Sequence, residues 1–466
     1  MDLTSASARE LLGGYRRREF SPTEVLDAVL ARVRTLNPKL NSFLAINEED
    51  ARRQAKSAEL AWSTGSPKGL LCGIPVSVKD SIEQAGMPTT YGSMVFRSNI
   101  RPDALLVTRL REHGAVLFGK TNLSEFALRP ETRNRLGESG RNPWDLTRTC
   151  GGSSGGAGSA VSAGLGPIAI GTDSGGSIRG PSAQNGIFGL KPSFQRIPAV
   201  QQWRASHDRS HNGPMTRTVY DSALIMEALT GCDPQDPNSS FVDDRVTVEL
   251  ALNSSRSLRI GVAPCELKGS DADDVAGALA DSRLLMLEFG HQVKEVPYPP
   301  RYTALRTSDG IWPYSADHLA AAEQLVPAFL ELHHGDLTDY AQLVYSSGSR
   351  LLAIDYRRAL VHDVRYRIAM QQWLKDHEID ILIMDCVSSA PVIDAEGRAT
   401  DSESNGLAMF NIARLPVGAV PVRRSSRTGM PLGLQVVGHF GQDDIVLAVS
   451  QQFERGGLWI AERPPI

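Results

Sequence analysis

Apolar positions recur along the chain with two periods, and each period predicts a type of secondary structure. Behind the tetrapeptide SPTE at 21–24, apolar residues follow helical spacing at Val25, Leu26, Val29, Leu30 and Val33, which predicts an amphipathic helix. The tetrapeptide is a capping box with proline at the first helical position, so it marks where this helix begins. The β-branched run GIPVSVK at 73–79 instead predicts a short buried strand.

Further along, helical patterns alternate with short apolar runs. TRLREHG and AVLFGKTN at 108–122 are typical of a helix, a turn and a strand. Further helices are predicted near 156–164, over 215–230, near 272–290 and through most of 315–378, and further strands at 167–171, 258–264, 291–299, 380–385 and 433–438, before a final helix. The sequence has no internal repeat. Alternating helices and buried strands predict an α/β fold around a mixed sheet.

Composition narrows the class of protein. The chain has 466 residues, of which 41% are hydrophobic, and its net charge of −4 does not favour a polyanionic partner such as nucleic acid. Its five cysteines are scattered and none has C-x-x-C spacing, so neither a disulfide framework nor a thiolate zinc site is indicated. We expect no signal peptide and no membrane helix, and a reducing, cytoplasmic location fits best.

Three motifs suggest activities that their context disfavours. GAVLFGKT at 114–121 matches a phosphate loop, but its first glycine follows a predicted helix and AVLF itself reads as a strand. GSSGG at 152–156 matches a nucleophile elbow around Ser154, but the polar segment GRNPWDLTRTC precedes it in place of a hydrophobic strand. HDRSH at 207–211 has two histidines without a third metal ligand nearby, so we expect no zinc site.

One constellation remains, a lysine and two serines. Lys79 ends the strand IPVSVK, Ser153 lies in GGSSGG, and Ser177 lies in DSGGSIR. Each alone has an ordinary explanation, because glycine-flanked serines usually form turns and a lysine at a strand end is usually exposed. Together with GKTNLSEFA, RNPWD, GTDSGGSIRG, GIFGLKPS, GPMTRTVYDSALIMEALTGCDPQDP, FNIARLPVGAVPV and GMPLGLQVVG, they resemble the amidase signature family over almost the whole chain, most weakly at 240–380.

The resemblance implies a single large α/β/α domain over 1–466, with a central, twisted, mixed sheet covered by helices on both sides. Within it, 1–65 would be N-terminal helices, 66–235 the signature core, 236–380 a variable and mostly helical region around the substrate pocket, and 381–466 the strands and helix that complete the sheet. The family needs no metal and no organic cofactor. Dimers are common in it, so a homodimer is one assembly that the resemblance allows.

The resemblance also assigns a Ser–cis-Ser–Lys triad to this chain. Ser177 would be the nucleophile, Ser153 the serine that follows a cis peptide bond, and Lys79 the base. A lysine acts as a base only when neutral, so its pKa near 10.4 must fall by roughly 3 units, and burial at the end of an apolar strand acts in that direction. A hydroxyl can relay the proton because it both donates and accepts hydrogen bonds.

Glycines beside the nucleophile leave the backbone bare of side chains. Successive N–H groups can then converge on the oxyanion of a tetrahedral intermediate, and the candidates are Ser174, Gly175, Gly176 and Ser177. By resemblance, Asp173 and Arg179 brace this loop, and Ser154 hydrogen-bonds within the triad.

The implied reaction is hydrolysis of a small-molecule carboxamide through an acyl-enzyme on Ser177. The segment ALRPETRN departs from many relatives, and its Arg129 is a candidate to pair with a substrate carboxylate or carbonyl, although a surface role is equally consistent. Further candidate pocket walls are Tyr91, Phe126, Trp203 and Trp312. Two alternatives stay open: the glutaminase subunit of a tRNA-dependent amidotransferase, which uses the same triad, and a non-catalytic binding protein on the same fold.

Overall fold

The computed structural model describes residues 2–200, 202–203, 208–236, 239, 246–252, 256–307, 309–399 and 406–466. The strands within these ranges are β1 (Phe43–Ile46), β2 (Pro75–Lys79), β3 (Val116–Thr121), β4 (Arg141–Asn142), β5 (Asp145–Thr149), β6 (Ile168–Asp173), β7 (Phe188–Lys191), β8 (His211–Thr216), β9 (Arg259–Val262), β10 (Gln292–Glu295), β11 (Ile381–Asp385), β12 (Val417–Arg424) and β13 (Pro431–Gly438). Eleven of them form one sheet in the order β1-β3-β2-β6-β8-β7-β12-β13-β11-β9-β10, and β4 pairs with β5. Because β2 is parallel to β3 and β6 whereas β8 is antiparallel to β6 and β7, the sheet is mixed, as predicted.

Helices flank this sheet. They are α1 (Ala8–Arg17), α2 (Pro22–Leu40), α3 (Glu48–Ser63), α4 (Leu105–Glu112), α5 (Gly155–Ser162), α6 (Arg179–Asn185), α7 (Val219–Leu229), α8 (Val248–Leu252), α9 (Ala272–Glu288), α10 (Ser315–Leu325), α11 (Phe329–His333), α12 (Asp339–Ser349), α13 (Ala353–Asp376), α14 (Ala408–Ile412) and α15 (Asp443–Arg455). In the described part of the chain, no helix combines the length and apolarity needed to cross a membrane. The α/β architecture expected from the sequence is confirmed.

Helix α2 shows how local sequence sets an element and then its packing. The Glu24 N–H donates to the Ser21 hydroxyl at 3.2 Å, and the Ser21 N–H donates to the Glu24 carboxylate at 2.7 Å, which is the predicted capping box. The predicted apolar face is buried; its residues Leu26, Val29, Leu30 and Val33 pack in one cluster with Val116 and Phe118 of β3. Each such side chain contributes about 1.5–3 kcal/mol when fully buried, so this face holds the helix on the β3 side of the sheet.

The central strands β2, β3 and β6 are buried at every position. Parallel strands covered on both faces have this continuous burial rather than an alternating pattern. Because β2 and β6 are parallel neighbours, with Val78 opposite Ile170, their carboxyl ends lie side by side. Lys79 and Asp173, the last residues of these two strands, are therefore brought to the same edge of the sheet.

The segment 215–230 differs from the single helix that its pattern predicts. Met215 and Thr216 end strand β8, and α7 begins only at Val219, after the Thr218 hydroxyl accepts from the Asp221 N–H. Strand β8 has the sequence HNGPMT, whose glycine and proline disfavour a strand interior. Its pairing with β6 and β7 in the middle of the sheet overrides that local preference.

Strand β12 was also missing from the sequence-based prediction. It lies between β7 and β13, and its pairing with β13 shifts register between Pro421 and Arg423. Proline lacks a backbone donor, so it fits a sheet interior at such an irregularity.

Candidate active site

Lys79 is a fully buried lysine at the carboxyl end of β2. Its Nζ donates to the Ser153 Oγ at 2.7 Å and to the Thr172 Oγ1 at 2.8 Å. Burial lowers the pKa of Lys79 to about 7, although the Asp173 carboxylate acts in the opposite direction. The amine is therefore neutral in a substantial fraction of molecules near pH 7, the form in which it can accept a proton.

Ser153 lies in the tight turn that leads into α5. The peptide bond between Gly152 and Ser153 is cis, and the Ser153 side chain is fully buried. A Cβ atom at Gly152 would lie 2.8 Å from the Arg129 carbonyl oxygen and 2.7 Å from the Pro130 carbonyl carbon. Only glycine fits this close approach between two backbone segments. The segment ALRPETRN, which differs from many relatives, therefore lies directly against the turn.

Ser154 joins the turn to both neighbouring parts of the site through backbone groups. Its hydroxyl donates to the Thr172 carbonyl at 3.1 Å, and its N–H donates to the Ser177 carbonyl at 3.3 Å. Ser154 is therefore a bracing residue, bonded to backbone rather than to the side chains of Lys79, Ser153 or Ser177. It lies in a buried turn that is bonded to β6.

The loop from Ser174 to Ser177 is organised by the carboxylate of Asp173. That carboxylate accepts from the Gly176 N–H at 2.7 Å and from the Ile178 N–H at 3.1 Å. The N–H groups of Ser174, Gly175 and Ser177 have no acceptor among the described residues. Three of the four N–H groups expected as donors are thus unpaired among the described residues, while the fourth is bonded to Asp173 and holds the loop.

Ser177 is half-buried at the start of the turn that precedes α6. Within the described residues, its hydroxyl makes no hydrogen bond, and the structure joins Ser177 to the turn of Ser153 through the Ser154 N–H instead. The Ser177 hydroxyl is therefore unpaired among the described residues, beside backbone N–H groups that are unpaired as well.

Arg179 and Asp173 form a buried ion pair beneath this loop. The Arg179 Nε lies 3.0 Å from one Asp173 oxygen, and a second guanidinium nitrogen lies 3.1 Å from the other. Burial raises the pKa of the Asp173 carboxyl, but the Arg179 charge and the nearby Lys191 and Asn411 outweigh it, so that pKa lies well below its usual range. Asp173 is thus a permanent anion that anchors the loop.

Sequence reasoning missed several residues that complete this network. Thr172 accepts from Lys79, and Asn411 donates its amide N–H to both the carbonyl and the carboxylate of Asp173, at 2.9 and 2.8 Å. The His211 Nδ1 lies 3.1 Å from the Asp173 carbonyl oxygen. Thr172 stands inside the quoted motif GTDSGGSIRG and the parallel pairing of β2 with β6 could have identified it, whereas Asn411 lies more than 200 residues away in sequence.

The candidate pocket residues divide into two environments. Arg129 is partly exposed, pairs with the buried Glu131 and lies over the Tyr340 ring, with 4.7 Å between the guanidinium carbon and the ring centroid. Tyr91 and Phe126 are buried in one aromatic cluster, whose other members are Phe96, Trp203, Phe329 and Tyr345. Trp312 contacts Arg306 instead. The structure therefore brings together Tyr91, Phe126 and Trp203 but not Trp312.

The structure describes part of the motifs that were set aside in the sequence. Lys120 of the phosphate-loop match is fully buried in β3, where its Nζ lies 2.9 Å from Asp80 and 2.6 Å from the Thr89 hydroxyl. Of the two histidines in HDRSH, His207 lies outside the described residues. Among the described residues, no group of three or more His, Cys, Asp or Glu side chains is arranged to hold a metal ion.

Comparison with known proteins gives a consistent picture. The family model described as Amidase matches residues 24–447. The chain is 30% identical to the A subunit of glutamyl-tRNA(Gln) amidotransferase from Synechococcus elongatus, over 99% of this chain and 100% of that protein. Two solved structures superpose closely. 6-Aminohexanoate cyclic dimer hydrolase has a TM-score of 0.85 at 28% identity over 100% of this chain and 99% of its own, and the peptide amidase of Stenotrophomonas maltophilia has 0.86 at 25% over 99% and 98%.

Proposed function

The chain belongs to the amidase signature family, and on that premise we propose that it hydrolyses the C–N bond of a linear, small-molecule carboxamide to a carboxylate and ammonia or an amine. One observation carries this proposal: a buried hydrogen bond of 2.7 Å from the Lys79 Nζ to the Ser153 Oγ, made by an amine whose pKa burial lowers to about 7. It supplies a base that is neutral in a substantial fraction of molecules near pH 7 and is already bonded to a hydroxyl that can relay a proton.

In the proposed acylation step, Ser177 is the nucleophile. Its hydroxyl proton passes to the Ser153 oxygen as the Ser153 proton passes to the neutral Lys79 amine, which becomes an ammonium. The Ser177 Oγ forms a bond to the amide carbon, and the carbonyl electron pair moves onto oxygen. Backbone N–H groups of Ser174, Gly175 and Ser177 stabilise this oxyanion, an effect worth about 3–4 kcal/mol for one donor in comparable sites.

Collapse of the tetrahedral intermediate completes the first half of the reaction. The C–N bond breaks as the ammonium of Lys79 returns a proton, through Ser153, to the departing nitrogen. Water then attacks the ester on Ser177, giving its proton to the same relay, and breakdown of the second intermediate releases the carboxylate and restores the Ser177 hydroxyl. The chain's own residues supply every proton transfer in this sequence.

A fluorophosphonate probe, which forms a covalent bond with activated serine hydroxyls, tests this proposal together with ammonia release from a panel of amides. We expect the wild-type protein to be labelled and active, and Ser177→Ala to lose both properties. Ser349→Ala, which removes an exposed serine at the end of α12, is the matched control and should behave as wild type. Labelling that survives Ser177→Ala, or a wild-type protein that is neither labelled nor active, would overturn the proposal.

A second candidate function is supported by the relatives. The proteins that match over nearly the full chain at 30–33% identity include the A subunits of the glutamyl-tRNA(Gln) amidotransferases from Synechococcus elongatus and Roseiflexus sp.. In this alternative, the same serine releases ammonia from glutamine within a larger assembly that serves a tRNA. Ammonia release from glutamine that requires the other subunits of such an amidotransferase would favour it, whereas hydrolysis of simple amides by the purified chain alone favours the first function.

The cysteines bear on where the reaction takes place. The five cysteines of the chain are all unpaired. Proteins kept in a reducing compartment retain free thiols, which supports a cytoplasmic location for the proposed reaction.

A further inference from the structure

Three buried nitrogen donors near the candidate active site have no hydrogen-bond partner in the described part of the chain. They are the Trp203 Nε1, the Arg209 Nε and the His318 Nδ1. Leaving a buried polar group unpaired costs about 1–3 kcal/mol, and unpaired buried groups are uncommon in native proteins. Other buried side-chain atoms of the described chain also lack a partner, but these three are all nitrogen donors in one region, so a single ligand could supply acceptors to all of them.

The three groups belong to one neighbourhood. The Trp203 and His318 ring centroids are 6.4 Å apart. The guanidinium carbon of Arg209 lies 3.5 Å from the centroid of the Tyr314 ring, and Tyr314 precedes His318 by four residues at the start of α10. Residues four apart on a helix lie on the same face, so Arg209 and His318 lie next to each other along that helix.

This neighbourhood borders the catalytic groups on two sides. The backbone N–H of Trp203, as distinct from its indole N–H, donates to the carbonyl of Ser81 at 2.8 Å, two residues beyond Lys79. On the other side, the Asn411 amide that binds Asp173 also donates to the Arg209 carbonyl at 3.3 Å.

The nucleophile loop itself touches the same segment. The hydroxyl groups of Ser174 and Ser210 are 2.8 Å apart, so the residue after Arg209 is bonded directly to the loop that carries Ser177. Trp203 is therefore connected to the lysine side of the proposed active site, through Ser81, and Arg209 to the side of the nucleophile loop, through Ser210 and Asn411.

Arg209 is held in place without using all of its donors. One terminal nitrogen lies 3.1 Å from Asp363, and the Arg209 side chain is only 12% exposed. The same carboxylate accepts from the hydroxyl groups of Tyr302 and Tyr314, each at 2.6 Å. The Asp363 carboxylate thus accepts hydrogen bonds from three donors. It orients the Arg209 guanidinium through a terminal nitrogen and leaves the Arg209 Nε unpaired.

His318 adds a donor without adding charge. Burial, and after it the nearby Arg209 charge, lowers the pKa of His318 to about 3, so the imidazole is neutral at pH 7. In the tautomer with its proton on Nδ1, it donates as Trp203 and Arg209 do. All three groups then offer N–H bonds, and one of them is cationic, which suits an anionic group whose oxygens only accept hydrogen bonds.

Resting on the proposed amide hydrolysis, we propose that Trp203, Arg209 and His318 form a subsite for a carboxylate carried by the acyl part of the substrate. If the leaving group is ammonia, the only part of the substrate that can carry a recognised group is the acyl part. The preferred substrates are then half-amides of dicarboxylic acids. The other candidate for this role, Arg129, is more exposed than Arg209, and its Nε, the atom that is unpaired in Arg209, is bonded to the buried Glu131.

The test compares two amides of the same shape, glutaramate and pentanamide, which differ in a terminal carboxylate or methyl group. We expect wild-type kcat/KM to favour glutaramate by at least about tenfold. Arg209→Gln should lower kcat/KM for glutaramate by about 100-fold, mainly through KM, a loss of roughly 2.7 kcal/mol, and change pentanamide by less than about threefold. Trp203→Phe, which keeps an aromatic ring but removes the N–H, should lower only the glutaramate value, by about tenfold.

The contrary results are distinct from failure of the proposed function. Equal loss for both amides in Arg209→Gln, no wild-type preference, or a preference removed by Arg129→Gln instead would overturn the subsite while amide hydrolysis stands. If wild type hydrolyses neither amide, calorimetry with glutarate decides: binding that Arg209→Gln abolishes supports the subsite, and absence of binding overturns it. Pentanamide turnover and the urea unfolding midpoint of each variant verify that it has folded.

Discussion

The Lys79 amine is bonded to the Thr172 hydroxyl as well as to Ser153, at 2.8 Å and 2.7 Å. Two acceptors hold the nitrogen in one place at the junction of β2 and β6. Thr172 is itself held in place, because it is buried and its backbone N–H donates to the Ser154 hydroxyl. It therefore fixes the position of the Lys79 amine. Thr172 is thus a positioning residue for the proposed base.

Thr172→Val tests that role, since it keeps the shape of the side chain and removes the acceptor. A hydrogen bond to the charged form of a group favours that form, so its loss should lower the pKa of Lys79 further. We expect the acidic limb of the kcat/KM profile to move below pH 7 and kcat to fall roughly tenfold. Thr216→Val, which removes a buried hydroxyl from neighbouring β8, should leave the limb in place. A limb that does not move in Thr172→Val would contradict the assignment.

Lys79→Met should abolish the pH dependence together with the activity. Burial lowers the pKa of Lys79 to about 7, so wild-type kcat/KM should rise with pH and level off above about pH 7, where the amine is neutral. The methionine variant should lose at least 10³-fold in kcat and show no limb near pH 7. Retained turnover with an unchanged profile would exclude Lys79 as the base.

The same substitution should change how stability depends on pH. The pKa of a lysine is near 10.4 in the unfolded chain and about 7 for Lys79 in the folded protein. Between these values the unfolded state binds a proton that the folded state does not, so rising pH stabilises wild type by about 1.4 kcal/mol per unit. The full destabilisation of the folded protein by the buried Lys79 charge is present below pH 7, and none of it remains above pH 10.4.

Urea unfolding at pH 7 and pH 10 measures this effect. We expect the free energy of unfolding of wild type, minus that of Lys79→Met, to rise by on the order of 3 kcal/mol between the two values. Subtracting the unfolding free energy of Lys79→Met from that of wild type removes the contribution of all other titrating groups, because both proteins contain them. Parallel pH curves would show that Lys79 has an ordinary pKa in the folded state.

Gly176→Ala should damage the nucleophile loop. Gly176 has φ +121°, a conformation that L side chains rarely adopt, and an added Cβ would lie 2.7 Å from the Leu407 Cβ. We expect kcat to fall by at least about 100-fold, because the backbone donors move, with a loss of stability of 1–3 kcal/mol or so. Gly175→Ala is the matched control for stability, since Gly175 is exposed and its added Cβ would lie 4.0 Å from its nearest neighbour. Equal unfolding free energies for the two variants would refute the steric argument.

The Asp173–Arg179 pair should be strongly coupled. Both side chains are fully buried, and removing one partner of a buried pair costs about 3–5 kcal/mol because the other charge remains. Arg179→Met should therefore be less stable than the double variant Arg179→Met with Asp173→Asn, as measured by urea unfolding. If the double variant loses the sum of the two single losses, the residues are not coupled.

Signals within a few residues of one another predicted a large part of this molecule. The capping box at Ser21, the strand that ends in Lys79 and the glycines around Ser177 are all local, because helix capping, strand burial and backbone freedom depend on near neighbours. The predicted helix was wrong over 215–218, and the prediction omitted β1, β4, β5, β7 and β12. In β8 and β12, glycine and proline oppose a strand locally, and only pairing within the sheet holds them.

The sequence by itself determined the α/β architecture, through the spacing of its apolar residues. It also predicted the kind of chemistry, through a lysine and two serines in recognisable surroundings. Only the tertiary structure decided which groups complete the site. Thr172 contacts Lys79 through the pairing of β2 with β6. Trp203 and Arg209 approach His318 only through packing, because more than 100 residues of chain separate them from it. Burial in that packed interior sets the pKa of Lys79 and leaves the three donors unpaired, and no pattern of neighbouring residues specifies either property.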